Sequence, residues 1–314
     1  MTDPPRRAIL DRAWLLMMVP ALCWSGNAIV GKAVAGEVPA FALAFWRWVL
    51  ASAILLPLAW PHLRKDWPAL LRAWRVVLAL SVFGVAVFNS TLYLAAQSTT
   101  AINIVMLQSA MPALIVLASF ALFGERVRAA QAIGIAVSMT GALTLVAQGD
   151  PAALFRLEFN RGDLWIMAGI VSYSVYTALL RLRPAVHGLS LAAATFVVGA
   201  VLLLPFHVGE TLAGHPLPLT ATAALAIGYV AVFASVLAYL SYNRAVALVG
   251  ANVAGMSVHL VPAFGTLLAI LLLGEMPRAY HAVGIALIAV GIWLAQRGKA
   301  GGGNSPSPPP SLET

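Results

Sequence analysis

Arg47, in the run Phe45-Trp46-Arg47, stands about seven residues inside an apolar stretch, roughly 10 Å deep at a helical rise of about 1.5 Å per residue. A guanidinium in hydrocarbon costs roughly 2.5–3.5 kcal/mol, so it must face protein or a water-filled cavity. There its planar fork suits a substrate carboxylate. The competing reading is that it reaches for the interface or ties loop carbonyls together. His259 lies in another apolar stretch, three residues before Pro262. It is a candidate proton carrier, or else a neutral imidazole joining two helices. Asn27, Asn89, Asn103, Gln108, Asn243 and Asn252 are amides in or near such stretches. Asn27 and Gln108 are assigned to a cavity, although interhelical hydrogen bonding serves them equally. Trp24, Trp46, Tyr93, Tyr173, Tyr176, Tyr239 and Tyr242 add aromatic surface. Tyr173 and Tyr176 share a helix face at i, i+3, as do Trp24 and Asn27. The alternative for these rings is ordinary packing between helices. The expected substrate-binding set is therefore Arg47, Trp24, Asn27, Trp46, Tyr93, Gln108, Tyr173, Tyr176, Tyr239 and His259.

Lys32 is close to Glu37 and reads as a snorkelling side chain or a surface ion pair. Glu125 and Glu275 follow Gly124 and Gly274 and read as hairpin elements, the carboxylates sitting near helix N-termini. The sequence holds no phosphate-cradling Walker loop, no G-x-S-x-G elbow and no H-E-x-x-H pair. With one cysteine, Cys23, it has neither a disulfide framework nor a cysteine-based zinc site, and no cofactor is implied.

The elements that position these groups follow from composition. Of 314 residues, 61% are hydrophobic and 10% charged, and the mean hydropathy is +0.90. A soluble domain carries about 25% charged residues, so this chain cannot clothe itself for water. Ten apolar runs match membrane spans: Trp14–Val34, Phe41–Trp60, Trp74–Ala96, Ala101–Phe123, Ala129–Ala147, Asp163–Arg181, Ser190–His207, Ala221–Leu240, Gly250–Leu273 and Ala279–Gln296. They are numbered 1 to 10 below. The fold class is an all-α integral membrane bundle, with the lipid bilayer as its surroundings.

The net charge of +8 does not mark a nucleic-acid partner, because no basic face with interleaved aromatics is present. With the N-terminus inside, Lys32, Arg156, Arg161 and Arg278 fall outside and Arg47 within a span, leaving 14 of the 19 basic residues cytoplasmic. The positive-inside rule then puts both termini in the cytoplasm of a cytoplasmic (inner) membrane. Arg6, Arg7 and Arg12 precede an apolar run that continues to Val34 without a small-residue cleavage site, so it reads as a retained span. Residues 1–12 form a cytoplasmic segment. The Gly/Pro/Ser-rich stretch 298–314 reads as a disordered tail.

Shifted by 150 residues, positions 95–144 align with 245–294 without a gap, and 16 of the 50 are identical. Matches include Pro112/Pro262, Gly124-Glu125/Gly274-Glu275, Gly134/Gly284 and Gly141/Gly291. Trp24-Ser25 pairs with Tyr173-Ser174 at an offset of 149. Two five-span units are expected, at 13–148 and 149–297. Five is odd, so the second copy is inverted, as in secondary transporters with a substrate site at the repeat interface. The glycine pairs should let spans 5 and 10 approach closely, and Pro57, Pro112, Pro205 and Pro262 should kink or soften their spans.

The stretch Leu22-Cys-Trp-Ser-Gly-Asn-Ala-Ile-Val-Gly-Lys32, Arg47 and the two Pro-x(11)-Gly-Glu blocks resemble the drug/metabolite transporter superfamily, in its EamA-like ten-span branch. The resemblance covers about residues 12–296. It implies a carrier for small organic solutes, often an exporter of amino acids or other metabolites, and no enzyme. At one point the halves differ: Asn27 is matched by Tyr176. Proton coupling through His259 and uncoupled diffusion both stay open, as do monomer and homodimer. Organic-cation efflux, an intramembrane enzyme and a non-transporting receptor are the rival readings. The first is disfavoured by the lack of an intramembrane carboxylate, the second by the lack of a convergent catalytic set, and the third by the repeat.

Overall fold

A computed structural model describes residues 4–125, 127–152, 160–273 and 278–300. Gly274, Glu275 and the segment 301–314 lie outside the described residues. The molecule is all-helical among the described residues, and ten spans cross a membrane in one bundle. Seven helical stretches are long and apolar enough to do so unaided: 13–33, 40–72, 74–98, 129–146, 161–182, 188–212 and 221–249. Span 10 is the helix Ala279–Ala300, which runs into the expected tail.

Several spans depart from the expected bounds. Span 1 starts at Pro4 and span 2 continues to Arg72. Span 8 runs on past Leu240 to Val249. The polar run Ser241-Tyr-Asn-Arg244 looks like a loop end, but Tyr242, Ala245, Val246 and Val249 are buried and hold the helix together. The indoles of Trp60, Trp67, Trp74, Trp165 and Trp293 are half exposed at span ends, as interfacial anchors should be.

Spans 4 and 9 are broken. Span 4 consists of Ala101–Gln108 and Met111–Phe123, with Pro112 opening the second piece. Span 9 consists of Ala251–Ala254, a 3-10 stretch Gly255–His259 and Leu260–Leu273, with Pro262 just past the join. Each proline removes a helical hydrogen bond and crowds the carbonyl four residues back. Spans 3 and 8 are interrupted instead by π-helical segments, Ser81–Val87 and Val232–Leu237. A π turn lifts carbonyls out of the ordinary ladder, and in hydrocarbon those oxygens need new donors.

Equivalent spans from the two halves pack on one another. A Cβ on Gly134 would sit 2.5 Å from the Gly291 carbonyl oxygen, and one on Gly141 would sit 2.6 Å from that of Gly284. Rising numbers on span 5 meet falling numbers on span 10, so the two helices run antiparallel with their backbones in contact. Spans 2 and 7 are tied at both ends. The Phe41 and Ala42 amides donate to Glu210 at 3.2 and 2.8 Å, and the His187 amide donates to Asp66 at 2.9 Å. Each carboxylate satisfies the open N-terminus of the opposite helix, where the dipole favours it.

Positions related by the repeat also meet each other. Trp24 lies edge-on to Tyr173 at 5.6 Å, the Asn89 amide donates to the Tyr239 hydroxyl at 3.3 Å, and His259 Nε2 donates to the Ser109 carbonyl at 2.8 Å. Residues that touch their own repeat mates lie beside the axis relating the halves. Off the axis, contacts recur in pairs: Ser25 donates to the Val261 carbonyl at 2.8 Å, and its mate Ser174 to the Met111 carbonyl at 3.5 Å.

Gly134→Val is expected to destabilise the protein by about 1–3 kcal/mol, the usual effect of overpacking a close contact. Gly228→Ala, where an added Cβ meets nothing within 4 Å, is expected to stay within about 0.5 kcal/mol of the parent. Thermal unfolding in detergent separates the two. Equal effects would mean that spans 5 and 10 do not meet through their glycines.

Candidate functional site

The π turns of spans 3 and 8 stand at equivalent places in the two halves, and polar side chains of the core gather around them. Gly84 and Ala234, repeat mates at an offset of 150, each present a freed carbonyl. The Gly84 oxygen accepts from the Tyr239 hydroxyl and, at 3.3 Å, from the Asn89 amide. The Ala234 oxygen accepts from Arg47 Nη2 at 2.7 Å and from the Trp24 indole at 3.3 Å. Three residues of the expected set, Tyr239, Arg47 and Trp24, and with them Asn89, are thus brought in by two backbone oxygens.

Arg47 is 1% exposed. Besides Ala234, its Nε donates to Ser235 Oγ at 2.5 Å and its Nη1 to the Tyr93 hydroxyl at 2.9 Å and Asn27 Oδ1 at 3.5 Å. Its guanidinium carbon lies over the Trp48 ring, 4.8 Å from the ring centre, a cation–π contact. These partners are all neutral. The side chain does not snorkel; it turns inward and spans from its own half to the π turn of the other.

A small cavity of about 20 Å³ lies beside the guanidinium, lined by Trp24, Asn27, Ala28, Arg47, Phe88, Asn89, Leu92, Gln108, Met111, Tyr173 and Val258. One cation, three amides and several rings surround an apolar floor, the usual make-up of a small-solute site. Most of these side chains are buried. Trp24, Tyr173, Tyr239 and Tyr242 form one ring cluster behind it, with centroids 5.4 to 6.3 Å apart.

Of the expected set, Arg47, Trp24, Asn27, Gln108 and Tyr173 line this cavity. Tyr93, Tyr176 and Tyr239 form the shell behind them. Tyr93 donates to Asn27 Oδ1 at 3.0 Å, and Tyr176 to Asn243 Oδ1 at 2.6 Å. Tyr93 and Asn243 are repeat mates, and so are Asn27 and Tyr176. The apparent mismatch of Asn27 with Tyr176 is therefore an exchange: each half keeps one tyrosine–asparagine bond, with the partners on swapped spans.

Two expected residues are placed elsewhere. Trp46 is 38% exposed on the outside of the bundle, against Phe45 and His207, because its neighbour Arg47 takes the inward face. His259 is fully buried behind the cavity wall. Its Nδ1 accepts from Ser138 Oγ at 2.7 Å while Nε2 serves Ser109, so it clamps spans 4, 5 and 9. Lys32 does not pair with Glu37. It donates to the Ala96 and Thr99 carbonyls at 2.9 and 2.8 Å, closing the C-terminus of span 3. Glu125 pairs with Arg181, and Gly124, with φ 66°, ends span 4 in the left-handed region.

Asn89 and Tyr242 were named from the sequence but left out of the expected set, and Met111 was not named. For Asn89 a signal existed: it aligns with Tyr239 at the repeat offset, in a span whose mate was already assigned. The π turns left no mark in the residue pattern.

The EamA-like transporter family model matches the chain twice, over residues 12–147 and 160–296. The chain belongs to this family and is a multi-pass membrane protein. It is 28% identical over 277 residues to an uncharacterized transporter of Bacillus subtilis, YetK, covering 85% of this chain and 82% of that one. An uncharacterized transporter of Archaeoglobus fulgidus is 26% identical, covering 90% and 97%. A probable terminal-alkyne amino-acid exporter of Streptantibioticus cattleyicolor is 29% identical over 187 residues, 59% of this chain and 61% of its own. A crystal structure with 23% identity superposes with a TM-score of 0.70, covering 90% of this chain and 96% of its own; it shows a shared fold.

In a double-mutant cycle, Tyr176→Phe and Asn243→Ala are expected to couple by about 0.6–1.7 kcal/mol, the range for interhelical hydrogen bonds in membranes. Additive effects on unfolding free energy would remove that bond from the structure.

Proposed function

We propose that the chain is a secondary carrier of the cytoplasmic membrane that moves small carboxylate-bearing solutes, amino acids or related metabolites, mainly outward by alternating access. The observation that carries this reading is the charge of Arg47: it is buried beside a cavity, and each of its hydrogen-bond partners is neutral. Burying a cation without a counter-charge is expensive, and a bound carboxylate would supply one. The two halves, 13–148 and 149–297, are read as inverted repeats. The antiparallel crossing of the equivalent spans 5 and 10 supports this, since five spans place the copies head to foot. Such halves can exchange conformations, opening the axis to one side and then the other.

Both termini are placed in the cytoplasm on the strength of the basic-residue bias. The Streptantibioticus relative, named as a probable amino-acid exporter, supports amino acids and the outward direction. His259 has both ring nitrogens engaged outside the cavity, which supports transport driven by the solute gradient without titration of that residue.

Counterflow of radiolabelled amino acids in proteoliposomes tests the reading. Arg47→Ala is expected to abolish transport. Arg47→Lys keeps the charge but loses the fork, and it is expected to leave about a tenth of the rate or less. His259→Gln is expected to leave the shape of the pH profile unchanged. Carriage of organic cations in preference to any carboxylate would overturn the proposal.

A further inference from the structure

Two polar atoms of residues that line the cavity have no hydrogen-bond partner among the described residues. Asn89 Oδ1 and the Tyr173 hydroxyl are buried without a hydrogen bond, and the residues are 0% and 1% exposed. Unsatisfied buried polar groups are rare, and each calls for a reason. For Asn89 the orientation of the amide is fixed by chemistry. Its nitrogen lies 2.9 Å from the Val85 carbonyl and 3.3 Å from the Gly84 carbonyl, both in the π turn of span 3. Carbonyl oxygens accept only, so the NH₂ must face them and Oδ1 is left as the free acceptor. Tyr173 has no such constraint, and its hydroxyl is free to donate. The cavity thus offers a cation and a hydroxyl donor to an anionic group, and one locked acceptor, rimmed by the Trp24 and Tyr173 rings, to a group bearing N–H.

We propose that Asn89 is a specificity-determining residue: its Oδ1 selects solutes that carry an ammonium with free N–H beside the carboxylate, while the Tyr173 hydroxyl joins Arg47 on the carboxylate. This rests on the reading of the cavity as the substrate site. A primary ammonium donates one hydrogen bond to Oδ1 and sets its remaining charge against the ring faces. A carboxylate lacking the amine leaves Oδ1 unpaired. A trimethylated amine keeps the charge but has no N–H to give. Sites built around a polar partner reject analogues lacking it far more sharply than apolar pockets reject a missing methylene.

The test is competition in proteoliposomes. The amino acid carried fastest in a radiolabelled set of the twenty standard ones is competed against its unlabelled self, its des-amino acid and its N,N,N-trimethyl derivative. The parent protein is expected to need about 10-fold more of either analogue, or above. Asn89→Ala is expected to bring the three within about threefold of one another. Tyr173→Phe, which deletes one oxygen and keeps the ring, is expected to weaken all three alike and leave their ratios intact. Parent protein that takes the des-amino acid as readily as the amino acid overturns the role of Asn89 and leaves the carrier reading standing. So does a folded Asn89→Ala protein that still discriminates. Where Asn89→Ala does not fold, the ratios of the parent protein and of Tyr173→Phe decide. Failure of every carboxylate in the set overturns the carrier reading itself.

Discussion

In the hydrocarbon of a bilayer no water is available to a stray carbonyl, so any helix that departs from regularity must find donors in its neighbours. That constraint organises the centre of this protein. The π turns of spans 3 and 8 lift the Gly84 and Ala234 carbonyls out of their ladders, and Tyr239, Asn89, Arg47 and Trp24 answer them. Each unsatisfied group would cost several kcal/mol. The irregular backbone and the polar side chains therefore stand or fall together.

The frame around that centre is symmetric and its charge is not. Glycine contacts, end caps and serine bonds recur in both halves, yet the repeat mate of Arg47, Thr195, turns back on its own helix and donates to the Leu191 and Ala192 carbonyls at 3.0 Å each. A symmetric frame can rock between two equivalent shapes. A single cation on one side of the axis gives the bound solute one orientation. The serine pair is bonded both within and between helices. Ser25 and Ser174 also donate to carbonyls of their own helices, Ala21 at 2.8 Å and Ile170 at 2.6 Å. Breaking the contact between halves leaves neither hydroxyl stranded. The interhelical contacts differ already, 2.8 Å against 3.5 Å, so the halves do not sit in identical states.

Much of this was legible in the residues. Apolar runs gave the ten spans, because a stretch that must cross hydrocarbon has few polar options. The 150-residue repeat gave the pairing of halves, and the heptad-spaced glycines gave the crossing of spans 5 and 10. Arg47 was legible as an inward-facing cation because its alternatives are costly. What stayed hidden is where backbone geometry departs from the ideal helix. Ser81–Val87 and Val232–Leu237 contain no proline, and their π character follows from packing with the rest of the bundle. Without those turns on the page, Asn89 was one amide among six. Lys32 was misread for a similar reason: its partners are carbonyls at the end of another helix, and carbonyl positions carry no sequence signal.

Polarity inside a membrane span is a weak guide to function until partners are counted. His259 and Asn103 are buried and were candidates from the sequence, and Ser138 and Asp163 are buried beside them. Each is engaged with protein: His259 between Ser138 and Ser109, and Asp163 with Thr99 at 2.6 Å and Asn103 at 3.1 Å. These groups join helices, which is the commoner use of intramembrane polarity. Arg47 differs in kind. Its hydrogen bonds satisfy the donors but not the charge, because hydroxyls, an amide and a carbonyl carry no net negative charge. A helix-joining role would be filled as well by a neutral donor, without the penalty of a buried cation. The charge meets the Trp48 ring but no carboxylate among its hydrogen-bond partners, and it lies against the cavity.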